Sequence, residues 1–329
     1  MDSVLVIGGT RFIGRHTVEE FLAHDNAVTI FNRGTHSNPF ADDDRVTHVE
    51  GDRTNDGALE LANDRVDPDV VVDCVAYKPR DVRAATTIFA DVGAYVYISS
   101  GSAYAEEVIP KREGETALHD CTREQATDDS SESYGNRKAE GDRAIAAAAE
   151  SGVNAMGVRP CIVYGPHDYT ERLDYWIDRV NRFDRVIVPG DGDNIWHRAY
   201  VEDVAAALRT VAEHGVAGHL YNVGDRRLLT LTETVEAIAT ALETSVEVVP
   251  ANERELAAGG LAPEDFILYR EYPHVLETSR LADLGWDSTP IDEAMARTVA
   301  DHRDSDCDGS DHDPGREAEE RVLSVLDTV

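Results

Sequence analysis

Directly after its first apolar run, Val4 to Ile7, the chain reads Gly8-Gly9-Thr10-Arg11-Phe12-Ile13-Gly14 and then enters a helical pattern that begins near Phe12. A strand that ends in glycines and reopens as a helix restricts the fold more than any other feature of this sequence. Glycines let the backbone turn tightly and approach a ligand closely, and the free N–H groups at the helix start stabilise negative charge such as a pyrophosphate. The chain then continues in the same manner. Short β-branched runs at Ala27 to Asn32, Val46 to Glu50, Val70 to Asp73, Ala94 to Ser99 and Asn154 to Arg159 alternate with helical stretches. Six strands at that spacing predict an α/β protein built on a doubly wound parallel sheet covered by helices on both faces.

Past Arg159 the pattern loosens into helices at Glu171 to Val180, Tyr200 to Ala212 and Thr232 to Leu242, with a strand at His219 to Val223. The expected organisation is a nucleotide-binding domain over 1–163 plus roughly 199–224. A smaller C-terminal substrate domain takes 164–198 and 225–300. Residues 105–133 are polar and acid-rich without a clear period, long for a βα connection, and read equally as a lid or as a disordered insertion. Residues 301–329 read as a solvated acidic tail ending in a short amphipathic segment, Ala318 to Leu326. Within that tail Asp304, Asp306, Asp308 and Gly309 match half of a calcium loop, but Gly315 stands where the bidentate glutamate is needed, so no metal site is expected.

Composition narrows the class. The 329 residues carry 31 basic against 64 acidic side chains, a formal charge of -33, and lysine occurs only at 78, 111 and 138. Such a surface looks salt-adapted, since it stays hydrated where salt screens charge over roughly 3 Å. Nucleic acid is disfavoured as a partner, because its affinity comes mainly from Lys and Arg displacing counterions. Met1 to Ile7 lacks a leader pattern and no run of about 18 apolar residues exists, so a cytoplasmic protein without a membrane span is expected. Cys74, Cys121, Cys161 and Cys307 are scattered, which argues against a disulfide framework or structural zinc.

The spacing of the glycine turn resembles that of the extended and atypical short-chain dehydrogenases/reductases, the NAD-dependent epimerase/dehydratase family. Their usual T-G-x-x-G-x-x-G has Ile7 here for the threonine and Arg11 for the middle glycine. Further stretches are similar: Gly51-Asp52-Arg53, the run Val72 to Lys78, Tyr97 to Tyr104, and Arg159 to Pro166, close to R-P-x-x-V-Y-G-P. Leu284-Gly285-Trp286 is also similar, so the likeness covers roughly residues 1 to 300. It implies a Rossmann sheet with cofactor contacts at Gly8, Thr10, Arg11, Phe12, Ile13 and Gly14. It also implies contacts at Asp52 and Arg53 near the adenine and at Ala76, Lys78 and Pro160 near the nicotinamide.

At the end of the second strand a carboxylate would bind the ribose of NAD, but the chain has Asn32 and Arg33. A guanidinium there suits a 2′-phosphate, which favours NADP and leaves NAD open. Tyr134 and Lys138 open a strongly helical run at i and i+4, so both face the same way. A free phenol titrates near pH 10, and a nearby ammonium favours the phenolate, which is what an acid/base tyrosine requires. The resemblance puts the serine that orients the substrate oxygen at Ser100, with Ser99 and Ser102 as alternatives.

In nucleotide-sugar enzymes an arginine gripping the substrate phosphate lies seven residues before the aspartate matching Asp203, and Trp196 stands there, with His197 and Arg198 nearby as substitutes. The expected activity is hydride transfer at a hydroxyl or ketone of a small molecule, as epimerase, dehydratase or reductase. A cofactor-sensing or RNA-binding module on the same fold is the alternative. Relatives often dimerise through the helix carrying the tyrosine, which makes Ala144 to Ala149 a candidate contact for a homodimer or a face packed within the monomer.

Overall fold

The computed structural model describes residues 2–328. In chain order the strands are β1 (Ser3–Ile7), β2 (Ala27–Asn32), β3 (Val46–Glu50), β4 (Val70–Asp73), β5 (Ala94–Ile98), β6 (Ala155–Pro160), β7 (Ile162–Tyr164), β8 (Arg185–Pro189), β9 (Arg198–Tyr200), β10 (Leu220–Val223) and β11 (Glu247–Ala251). The helices are α1 (Phe12–Ala23), α2 (Asp56–Val66), α3 (Pro79–Ile88), α4 (Tyr134–Glu150), α5 (Arg172–Arg182), α6 (Val201–His214), α7 (Leu231–Ala241), α8 (Glu253–Gly259), α9 (Ser279–Ala282), α10 (Ile291–Asp304) and α11 (Arg316–Leu326).

Seven strands form one parallel sheet in the order β10-β6-β5-β4-β1-β2-β3. The direction of winding reverses between β1 and β4, and in open α/β sheets ligands bind outside the carboxyl ends of the strands at such a reversal. The inner strands are largely apolar on both faces because both are covered, whereas the edge strand β3 has no buried residue. Leu5, Ile7, Val71, Tyr95 and Tyr97 pack with Leu59 of α2, Val82 and Ala85 of α3, and Ile145 of α4. The alternate residues Val4, Val6, Val28, Ile30 and Val72 point the other way and are buried, and α1 packs against α6. Within the alanine run of α4, Ala144 and Ala148 join that core whereas Ala146 and Ala147 are exposed.

The chain divides into two compact units. The first comprises Met1–Val163, Val201–Gly224 and Leu276–Ser288; the second comprises Tyr164–Tyr200, Asp225–Val275 and Thr289–Val329. Residues 276–288, read from sequence as substrate domain, thus group with the sheet, where the Trp286 indole N–H donates to the carbonyl of Asp203 at 2.9 Å.

Two segments differ from expectation. Residues 105–133 are a folded loop and not a disordered insertion. Ala105 N donates to Ala117 O at 2.9 Å, and the Lys111 ammonium, 1% exposed, donates to Glu106 O at 2.7 Å and pairs with Glu107 at 3.1 Å. The buried Glu113 carboxylate accepts the Asn222 N–H of β10 at 2.7 Å. Nor are residues 301–329 a solvated tail. Helix α10 runs through Asp304, and α11 packs on α8 so closely that a Cβ at Gly259 would lie 2.5 Å from Ala318 O.

The charges of this C-terminal stretch are partnered. Glu319, 2% exposed, pairs with Arg179 at 3.2 Å and accepts the Tyr175 hydroxyl at 3.1 Å. The short amphipathic segment expected at Ala318 to Leu326 is α11, whose apolar seam of Ala318, Val322 and Leu323 is buried. Val322 is fully buried. Val322→Ala is therefore expected to destabilise the protein by about 2 kcal/mol, read as a lowered urea midpoint. An unchanged midpoint would mean that α11 contributes nothing to the fold.

Candidate active site

At the carboxyl end of β1 the backbone turns through Gly8 at φ +94°. A Cβ on Gly14 would sit 1.9 Å from Gly8 O, and one on Gly9 would sit 2.8 Å from Val18 Cγ2, so α1 starts pressed against the strand it follows. The first turn of α1 holds no acidic residue, and Arg11, exposed at its N-cap, makes no side-chain cap. The helix therefore presents N–H groups and its positive dipole end at the sheet reversal. Phe12 is buried, Ile13 half-buried, and Thr10 accepts a weak 3.4 Å contact from the Asn32 amide. This cradle, with no room for a Cβ and no acidic side chain in the first turn of α1, fits a dinucleotide pyrophosphate.

The Asn32 carboxamide oxygen is held by Gly34 N at 2.8 Å and by the His48 ring nitrogen Nε2 at 3.0 Å, while Arg33 next to it is exposed. Asp52, also exposed, accepts from Thr54 N and Oγ1 at 2.8 and 2.7 Å, which lowers its carboxyl below the usual range. Its neighbour Arg53 is different. That guanidinium is buried and bonded to Asp73, at the end of β4, and it pairs with Asp81 of α3 at 3.2 Å.

Helix α4 begins at Tyr134. Gly135, next in the chain, has no room for a Cβ, which would meet Ser102 O at 2.3 Å; that close approach brings the head of α4 against the turn at Ser100 to Tyr104. Gly141, two turns on, likewise leaves space for the Tyr97 hydroxyl. Lys138, one turn beyond Tyr134, is 2% exposed, and its Nζ donates to Ala76 O at 3.0 Å and Ile98 O at 2.7 Å. The same nitrogen lies 5.7, 4.8 and 5.3 Å from the ring centres of Tyr134, Tyr97 and Tyr77. Burial pulls Lys138 down to about 8, against the attraction of Asp73 and Asp142. The Ser100 hydroxyl accepts from Ser102 N at 3.2 Å, and Ser102 is exposed.

Lys78 caps α3 and pairs with Asp129 at 2.9 Å. Pro160 closes β6, buried. One residue earlier, Arg159 pairs with buried Asp142 of α4 at 2.8 Å and donates to the Tyr104 hydroxyl at 2.9 Å, which in turn donates to Asn222. This chain braces α4 against β6 and β10. Sequence reading missed it, as it missed the Arg53 cluster, although unmatched charges within apolar strand patterns are the available signal for both.

His197 and Arg198 belong to the second unit, and both side chains are turned into its interior. Arg198 donates to Leu229 O at 3.0 Å and to the Thr234 hydroxyl. His197, 4% exposed, donates from Nε2 to Asp225 O at 2.8 Å, and burial lowers it to about 4. Folded His197 thus stays neutral where the unfolded chain takes up a proton near pH 6.5. Its stabilising contribution is complete above that pH and is lost as pH falls toward 4, at most about 3 kcal/mol. His197→Gln is expected to flatten the stability curve between pH 6.5 and 4; an unaltered slope there would refute the buried neutral ring. Trp196 has the Arg270 guanidinium over its ring at 5.4 Å.

Seven parallel strands with a glycine turn at the winding reversal define a Rossmann-type fold. The description "NAD dependent epimerase/dehydratase family" matches residues 4–224, two thirds of the sequence, and the chain belongs to that family. It is 29% identical over 278 residues to a low-salt glycan biosynthesis protein of Haloferax volcanii, covering 75% of this chain and 84% of that one. It is 25% identical over 251 residues to a chloroplast stem-loop binding protein of Arabidopsis thaliana, covering 72% of this chain and 62% of that protein's length. Among solved structures, a Bacillus anthracis dTDP-glucose 4,6-dehydratase in complex with NAD superposes with a TM-score of 0.73 at 19% identity, covering 93% and 97% of the two chains. The family is one of NAD-dependent epimerases and dehydratases. Among the described residues no helix is long and apolar enough to cross a membrane, and no cluster of His, Cys, Asp or Glu is fit to hold a metal.

Proposed function

We propose that this chain oxidises or reduces a hydroxyl-bearing carbon of a sugar or sugar nucleotide, as an epimerase, dehydratase or reductase. The observation that carries the reading is the Lys138 ammonium, anchored on the carbonyls of Ile98 at the end of β5 and Ala76 in the loop after β4, beside the Tyr134 ring. Bound nicotinamide supplies the hydride acceptor and donor. The Gly8 to Gly14 cradle would hold its pyrophosphate, Asn32, Arg33 and Asp52 its adenosine end, and Ala76, Lys78 and Pro160 its nicotinamide end. Tyr134 takes or returns the hydroxyl proton. An ammonium has three donors, and two are spent on Ala76 and Ile98, which leaves one for a ribose hydroxyl while the positive charge favours the tyrosinate. Ser100 orients the substrate oxygen, with Ser102 exposed behind it.

For the cofactor we favour NADP on the exposed Arg33 and the absence of a carboxylate at Asn32. Arg33→Ala is expected to weaken NADPH about 10-fold, the size of one charge-assisted contact, and to leave NADH within two-fold in fluorescence titrations. Equal effects on both would assign the site to NAD.

The substrate class draws support from the glycan and dTDP-glucose relatives. The test is turnover of a panel of sugar nucleotides and free sugars, with the dinucleotide content of the purified protein measured first. Tightly retained cofactor favours internal recycling, as in an epimerase or dehydratase; an empty protein that consumes NADPH favours a reductase. RNA binding is a second reading, favoured by the stem-loop binding relative and opposed by the charge of -33. Retained stem-loop affinity at 200 mM salt without any turnover would select it.

A further inference from the structure

Arg53 is an unusual residue to find beneath a cofactor site. It is 8% exposed, comes from the loop after β3, and reaches both the end of β4 and the first turn of α3. Its two anions each hold a backbone N–H of the intervening loop. Asp73 accepts Val75 N at 3.1 Å, and Asp81 accepts Lys78 N at 3.0 Å. Residues 74–78 are therefore pinned at both ends to one guanidinium. This same loop supplies the Ala76 carbonyl to Lys138 Nζ at 3.0 Å and sets the Tyr77 ring 5.3 Å from it. The Tyr95 hydroxyl donates to Asp73 at 3.1 Å and completes the cluster.

We propose that Arg53 is a positioning residue for Lys138: by clamping Asp73 and Asp81 it fixes the loop that cradles the ammonium and holds both carboxyl groups in place beneath it. The charge count is one cation against two carboxylates, so the cluster leaves one negative charge that the Lys138 ammonium balances. Burial lowers Arg53, but Asp73, Tyr95 and Asp81 together more than offset it and hold the guanidinium above its ordinary value. Among the charges acting on Lys138, Asp73 and Asp81 from this cluster and Asp142 from α4 favour the ammonium, and Arg137 from α4 opposes it. The other titratable groups around it are the Tyr77, Tyr97 and Tyr134 phenols and the Cys74 thiol, which burial raises to about 12.

The inference rests on the Tyr134-Lys138 reading for its meaning in catalysis, but it is measurable without a substrate. With lysine only at 78, 111 and 138, the full-length protein labelled with 13Cε-lysine gives three resonances, and Lys138→Met identifies the third. Asp81→Asn keeps an acceptor for Lys78 N, and Asp73→Asn keeps one for Val75 N, so each removes charge with little change of shape. Either is expected to lower the Lys138 titration midpoint by at least one pH unit. Arg53→Lys, retaining the cation, is expected to hold it within half a unit and to keep NADPH affinity, whereas Arg53→Gln, which frees the loop, is expected to weaken NADPH binding at pH 8 by 10-fold or more. Midpoints unmoved in folded Asp81→Asn and Asp73→Asn would overturn the proposal; if Asp73→Asn fails to fold, Asp81→Asn decides it alone. A shifted midpoint in a protein whose Lys138→Met variant turns over normally would uphold the clamp and defeat the catalytic reading.

Discussion

Tyr134→Phe is expected to cut turnover by about 100- to 10,000-fold, the usual worth of a positioned acid/base. Binding of NADPH should stay within a few-fold. The phenyl ring keeps the packing at the head of α4, including the face that lies 5.7 Å from Lys138 Nζ, and only the hydroxyl is lost. The variant therefore separates proton transfer from assembly. It is best read as the rate of nicotinamide absorbance change with a sugar nucleotide, beside a fluorescence titration of the cofactor. Parallel loss of binding and rate would identify Tyr134 as a structural tyrosine and return the acid/base role to another group.

Gly14→Ala should have an effect of similar size on a different property. A methyl at that position would lie 1.9 Å from Gly8 O, far inside contact distance, and the partner is backbone that no rotamer change can move. Helix α1 must shift away from β1, which costs about 1–3 kcal/mol of stability and displaces the N–H groups that face the cradle. Cofactor affinity is expected to fall at least 100-fold, measured by calorimetry with NAD and NADP. Gly57→Ala is the matched control: it lies in the first turn of α2, where the nearest atom is 3.5 Å away, and alanine there should be neutral or stabilise by about 0.5–1 kcal/mol. Retained affinity in Gly14→Ala would mean that the glycine turn serves only packing.

Much of the fold was legible because its signals are local. The runs at Ala27 to Asn32, Val46 to Glu50 and Val70 to Asp73 coincide with β2, β3 and β4; β2 and β4 are largely apolar because both their faces are covered, and the edge strand β3 was marked by its β-branched residues instead. Alternation with helices then implied a parallel, doubly wound sheet, whose winding reverses between β1 and β4 in the structure. The glycine spacing marked the cradle, and the i, i+4 spacing put Tyr134 and Lys138 on one side of α4. The acid-rich segments misled for one reason. Composition averages over residues, whereas Lys111, Glu113, Glu319 and Val322 are buried one at a time by partners far away in sequence.

The sequence by itself determined the class of fold, the glycine turn between β1 and α1 and the placement of Tyr134 and Lys138 one turn apart on α4, all set by neighbours within one strand-turn-helix unit or one helical turn. Only the tertiary structure decided what the isolated charges do. Arg53, expected at the adenine, is the buried partner of Asp73 and Asp81, and Arg198, a candidate for substrate phosphate, is bonded to Leu229 and Thr234. A guanidinium bonds whichever carboxylate or carbonyl lies within reach, and that is settled by how strands and helices distant in the chain pack together.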